Sequence, residues 1–304
     1  MFEVEIMGEL IRFVSAHEVG HTIGLPHNMG SSFAYHVDSL RSPTFTANHG
    51  VAPSIMDYAR FNYVAQPEDG VTNFYPRVGE YDIWSVKWGY TYFDGEDQNT
   101  EKEILNKWIK EKANNYQYWF GYSNGIDPRS QTESIGSDNM DASYYGLLNL
   151  KRIVPNLINW TYEDGKNYDD LKELYLNVYS QFRRYIGHVS TNVGGIYENL
   201  KSNDQDGDVY THVPKNLQKK AIEFLNSHVF SSLDWLVNRD VLSKIENIGA
   251  QERVRSIQEF ALRRLFDYSR LARMLENESM NGKLAYSINE MIIDLDKSIW
   301  GDLE

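Results

Sequence analysis

The sequence predicts a mainly α protein in which one helix carries a metal site. Three observations predict it. Apolar and aromatic residues recur at three- and four-residue steps over most of the chain. One short segment, 193–213, alternates as strands do. His17, Glu18, His21, Gly24 and His27 stand at spacings that a helix and a following turn bring together.

The first helix is expected over 5–24, where Ile6, Leu10, Phe13, Val14, His17 and His21 share a face and Gly24 and Pro26 stop it. Residues 25–78 are rich in Gly, Ser, Asn, Pro and Thr, which predicts ordered loops with short helical turns. Helices follow at 80–90 (Tyr81, Trp84, Val86, Trp88) and 100–113. Tyr116 to Tyr122 alternates aromatics and predicts a strand, and Tyr116 to Phe120 reads as an interior strand or helix face rather than a surface for stacking sugars or bases. From 139 onward helices are expected at 139–160, 168–191, 214–229, 232–246, 250–279 and 284–300. Leu171, Leu174, Tyr175, Val178 and Phe182 mark the buried stripe of a packed bundle. Between them Ile196–Glu198 and Val209–Thr211 flank Asp204-Gln205-Asp206-Gly207, a hairpin pattern. The polar run Asp94–Asn99 reads as a linker and divides the chain into 1–95 and 96–304.

Composition excludes several function classes. There is no cysteine, so disulfide scaffolds, thiolate metal sites and cysteine nucleophiles are ruled out together. Asp plus Glu number 43 against 30 Lys plus Arg, for a net charge of −13, which opposes a general affinity for nucleic acid. The basic residues of 253–273, Arg263 and Arg264 among them, are interleaved with acids and read as a solvated face. No apolar run is long enough to span a membrane. The start, Met1-Phe2-Glu3-Val4-Glu5, is acidic where an export signal is basic. Both ends run close into helical pattern, which gives the expectation of a piece of a longer protein.

The chemistry lies in His17-Glu18-Val19-Gly20-His21-Thr22-Ile23-Gly24-Leu25-Pro26-His27. Residues four apart on a helix have Cβ atoms about 5–6 Å from each other, so His17 and His21 can face one ion. Glu18 stands one step round, beside the ion without ligating it, where it can hold and deprotonate a water. Gly24 can take the left-handed conformation that ends a helix, and His27 then returns as a third nitrogen. Three neutral nitrogens with an open fourth position describe a catalytic zinc site.

This pattern, H-E-x-x-H-x-x-G-x-x-H, resembles the extended zinc motif of the metzincin metallopeptidases. Ser54-Ile55-Met56-Asp57-Tyr58 looks like the methionine turn that lies beneath the zinc in that family. The resemblance implies zinc held by His17, His21 and His27, with Glu18 as general base and Met56 as an apolar floor. It implies Tyr58 as a phenol near the metal, Ala59 to Asn62 along the pocket for the side chain after the scissile bond, and a peptide or protein substrate. His27-Asn28-Met29 and the run Ser54 to Asp69 resemble large bacterial metzincin-like proteins with a helical C-terminal region, which implies an exported protein. Only 16 residues precede His17, too few for the sheet half that normally forms the upper jaw of the cleft. The expectation is therefore the lower, zinc-helix part of a catalytic domain in 1–95, followed by a helical region in 96–304. That helical region is then expected to dock a missing N-terminal half, and the piece by itself is expected to cleave poorly.

The remaining histidines, His36, His49, His188, His212 and His228, lack ligand spacing; His36 and His49 lie between the third ligand and the methionine turn, where they can support it. Asp204–Asp208 fails as an EF-hand, because with Gly207 at position six Val213 falls at position twelve. Two rival readings are a helical scaffold with a vestigial zinc segment, and a zinc hydrolase acting on a non-peptide amide. The intact set of Glu18 and three histidines opposes the first.

Overall fold

A computed structural model describes residues 4–59, 61–246 and 249–300. The chain divides into two compact units. The first is Met1–Gly125 with Arg129–Ala142, and the second is Ile126–Pro128 with Ser143–Glu304. Among the described residues the fold is mainly α, with thirteen α-helices and a single two-stranded sheet. No described helix is long and apolar enough to cross a membrane.

In the first unit α1 spans Val4–Thr22. Two short helices follow, α2 (Val37–Leu40) and α3 (Pro43–His49), then α4 (Glu80–Tyr90) and α5 (Gln98–Lys112). Their starts follow the capping chemistry of their sequences. The Ser42 hydroxyl accepts from Phe45 N with Pro43 in the first turn, and Asp97 accepts from Asn99 N and Thr100 N. The long stretch between α1 and α4 has only short helical turns, so its buried backbone needs other partners. Side chains supply them. Asn62, buried, donates to Leu40 O at 2.6 Å and accepts from Val64 N and Ala65 N. Arg41 grips Asp69 with two bonds of 2.7 and 2.8 Å. Tyr35, Val37, Leu40, Val51, Ile55, Met56 and Val64 form the core beneath this stretch.

Residues 116–122 do not form the expected strand. Tyr116–Tyr118 is a 3-10 turn capped by Asn115, and extended backbone follows at Trp119. Tyr116 and Tyr122 face solvent, so the aromatic alternation reflects neither a sheet face nor an interior position for Tyr116.

The helix α6 (Asn139–Ile153) begins in the first unit and continues from Ser143 in the second, where a 3-10 turn at Val154–Asn156 separates it from α7 (Leu157–Trp160). Pro155 explains the break within the single helix expected there, since it cannot donate to the ladder. The longest helix, α8 (Asp169–Ser190), buries Leu171, Tyr175, Val178, Phe182, Tyr185, Ile186 and Val189 against α9 (Lys215–His228), α10 (Arg239–Ile245) and α11 (Ala250–Leu265). Leu174, expected in that stripe, is exposed. The helix expected over 250–279 is two, because Asp267 caps a new start, α12 (Tyr268–Asn281), by accepting from Arg270 N. α10 begins only at its Asn238 cap, and α13 spans Ile288–Trp300. The hairpin pairs β1 (Ile196–Glu198) with β2 (Tyr210–His212) antiparallel, Tyr197 opposite Thr211.

The basic run is not a uniformly solvated face. Arg263 is exposed, but Arg270 is buried and donates to Ser190 O and Val193 O, while Arg273 donates to Gly194 O at 2.7 Å. These guanidiniums donate to carbonyls at and just past the C-terminus of α8, where cations are electrostatically favoured.

Candidate metal centre

The site is built at the C-terminal end of α1. Gly24 takes φ +87°, and the bonds Gly24 N→His21 O and Leu25 N→Gly20 O, both 3.0 Å, close a Schellman motif. The chain turns back at this point, and His27 returns toward His17 and His21. The His21 and His27 Nε2 atoms are 3.0 Å apart, and those of His27 and His17 are 3.2 Å apart. The ligand-capable atoms of all three lie within 4.8 Å of one another, the one such convergence of His, Asp and Glu among the described residues.

The outer nitrogens decide what the inner ones can do. His17 Nδ1 is 2.8 Å from Ile55 O, and His21 Nδ1 is 2.9 Å from Leu25 O. A carbonyl oxygen only accepts, so both Nδ1 atoms carry the hydrogen and both Nε2 atoms present lone pairs when the rings are neutral. Two lone pairs and His27 Nε2 thus meet at one point, and at most one proton on His27 can relieve them. Such a donor set fits a cation, and zinc takes three histidine nitrogens with one position open. Burial, then repulsion from His21 and His17, lowers the His27 pKa, with Glu18 opposing in part. That keeps the third ring neutral and ready to ligate.

Met56 is fully buried, and its sulfur lies where a Cβ on Gly20 would stand. The Tyr58 ring stacks on His17 with centroids 5.2 Å apart and lies 4.6 Å from the His27 ring. The fold therefore brings His17, His21, His27, Met56 and Tyr58 together. Glu18, on the next position of the helix, is exposed, and its carboxylate acts electrostatically on His27 without a hydrogen bond or ion pair to a described residue. Of the residues expected along the substrate pocket, Ala59 and Asn62 are buried, Phe61 is exposed, and Arg60 lies outside the described residues. His36 and His49 stand elsewhere. His36 caps α2 by accepting from Asp38 N, and His49 Nδ1 is 2.7 Å from Glu80 Oε1.

Two supports escape the spacing argument. Asp82, on the first turn of α4, accepts from the Ser54 hydroxyl at 2.6 Å, from Ile55 N at 2.8 Å and from Gly79 N at 2.9 Å. It thereby fixes the residue whose carbonyl orients His17. Its signal was an acid three residues past Gly79 at a helix start. Tyr90, at the other end of α4, donates its hydroxyl to Ile23 O at 2.9 Å and ties the turn after α1.

A helical fold with a three-histidine, metal-competent centre at a helix end defines the class of protein. The chain belongs to a family described as Met-zincin, which matches residues 1–304. Membership implies zinc metallopeptidase-type function on peptide or protein substrates. No curated protein and no solved structure matches the chain.

Proposed function

We propose that the protein is a zinc-dependent peptidase of metzincin type, with His17, His21 and His27 as the ligands and Glu18 as the general base. The observation that carries this reading is the convergence of three imidazole Nε2 atoms, two of them with their tautomers set by backbone carbonyls. Zinc held there would supply Lewis-acid polarisation of a scissile carbonyl and would bring the pKa of a bound water down toward about 7.

The chain's own residues do the rest. Glu18 follows His17 on the helix, so its carboxylate flanks the metal position without ligating. It takes the proton from the attacking water and returns it to the leaving amine. The Tyr58 ring stands beside two ligands, and its hydroxyl is the chain's candidate to donate a hydrogen bond to the oxyanion. Met56, buried against α1 at Gly20, offers a soft, unbranched side chain as the apolar floor of the site.

Zinc content and cleavage of a quenched peptide library, measured together on the full-length protein, test the reading. Glu18→Gln is expected to keep about one zinc per chain and to lose at least about 100-fold in turnover, the usual worth of general-base catalysis. His21→Ala is expected to lose the metal. Undiminished cleavage by Glu18→Gln, or zinc bound equally well without His21, removes the assignment.

A further inference from the structure

His17 and His21 are each oriented by a backbone carbonyl, but no hydrogen bond to a described residue holds the outer nitrogen of His27. Something else must fix that ring. The next residue, Asn28, is fully buried, and every polar group it has is engaged. Its backbone N donates to Met56 O at 3.1 Å, and its O accepts from Ser31 N at 3.2 Å. Its side chain reaches a segment more than ninety residues downstream. Nδ2 donates to Trp119 O at 2.9 Å, and Oδ1 accepts from Gly121 N at 2.9 Å. The amide thus mimics one rung of a β ladder, and Gly30 N→Gly121 O at 3.0 Å adds the next rung. Gly30 and Gly121 make the approach possible, since a Cβ on Gly30 would stand 2.8 Å from the Gly121 Cα. Arg129 covers the outside of this brace, its guanidinium 4.6 Å from the Trp119 ring.

We propose that Asn28 is a positioning residue for the metal ligand His27, and that residues 119–121 form part of the metal centre's support although they touch no ligand. This inference rests on the metal-site reading above. An amide is the side chain that can serve here, because it offers a donor and an acceptor on one plane at the spacing of a peptide group. The backbone bond to Met56 ties the same residue to the methionine turn, so one position couples the third ligand, the turn beneath it and the brace. Loss of the amide leaves Trp119 O and Gly121 N buried without partners and frees the His27 main chain to shift. Ligand supports of this kind change metal affinity about 10- to 100-fold when removed.

The test is zinc affinity by chelator competition, together with the absorption spectrum of the cobalt-substituted protein, on the full chain at a temperature well below unfolding. Asn28→Ala is compared with Leu40→Ala, a core truncation in the same unit, to separate positioning from general destabilisation. The expected result is zinc bound at least about tenfold more weakly by Asn28→Ala, with an altered cobalt spectrum, while Leu40→Ala keeps both. Asn28→Asp, which retains the acceptor toward Gly121 N but not the donor toward Trp119 O, is expected to fall between, and it carries the test alone if Asn28→Ala does not fold. Equal zinc affinity in wild type and the Asn28 variant, or an equal loss in Leu40→Ala, overturns the positioning role while leaving the three-histidine site standing. A wild-type protein that binds no zinc overturns both.

Discussion

The sulfur of Met56 occupies the space that a side chain on Gly20 would need. Gly20 lies on α1 between His17 and His21, so the bare backbone there lets the methionine turn press against the helix at the level of the ligands. In an ordinary exposed helix Gly→Ala stabilises by about 1 kcal/mol. Here the sign is expected to invert. Gly20→Ala should lower the unfolding midpoint, because the added methyl displaces a side chain with no free volume, and overpacking costs about 1–3 kcal/mol. Denaturant titration of the metal-free protein measures it, and a gain in stability would show that Met56 yields.

Tyr58 offers a cleaner separation of chemistry from structure. Its hydroxyl forms no hydrogen bond with a described residue, so Tyr58→Phe should leave the melting temperature and zinc content nearly unchanged. If the hydroxyl meets the oxyanion, turnover should fall about 100-fold with KM steady. Full activity in the phenylalanine variant would confine Tyr58 to packing against His17 and His27.

Asp57 predicts a pH dependence. It is fully buried, and desolvation raises its pKa to about 7 from 3.8, against the opposing bond from Ser32 N at 2.7 Å. A carboxyl whose folded pKa exceeds its unfolded value binds more protons when folded, so its contribution is complete below about pH 4 and is lost as pH rises toward 7. The full loss is on the order of 4 kcal/mol. Asp57→Asn removes the titration. Unfolding of the metal-free proteins at pH 5 and pH 8 should show the variant gaining about 3 kcal/mol relative to wild type between the two. Parallel behaviour at both would mean that Asp57 stays charged in the fold.

Arg270 tests the second unit by itself. Burial, then repulsion from Arg264 and Arg273, lowers its pKa to about 9. Its guanidinium answers Ser190 O and Val193 O at and just past the end of α8. Arg270→Met keeps most of the volume but takes the side-chain donor from Val193 O and leaves Ser190 O with Val193 N alone. It should destabilise by about 1–3 kcal/mol, read from the unfolding transition by circular dichroism. No change would mean that water replaces the guanidinium there.

Much of the metal centre was legible because its chemistry is local. His17 and His21 need only helical spacing, and Gly24 marks the reversal that returns His27. The start of α5 at Gln98 is also written nearby, in the Asp97 cap. The failures share a cause. Tyr116–Tyr122 alternates like a strand, yet its backbone is met by the Asn28 side chain and by Gly30 N rather than by a strand, which alternation alone cannot reveal. The unbroken helix expected over 250–279 overlooked that Asp267 caps well even inside a continuous apolar period. The capping position of Asp82 could be read, but its hold on Ile55, like the role of Asn28, could not, because these contacts span 27 and more than 90 residues. Arg270 was misjudged because a charged residue among acids looks solvated until the helix end it serves is known.

The reversal at Gly24 closes the ligand set within a span of about ten residues, and that brevity carries a thermodynamic consequence. A loop of that length closes on the order of 10–100 ns and forfeits little chain entropy. The histidines can therefore chelate before the surrounding protein has organised, and an ion that also associates with the unfolded ensemble stabilises the native state by less than its affinity alone dictates. Thermal midpoints should accordingly climb more shallowly with added zinc than the dissociation constant of the folded protein would forecast.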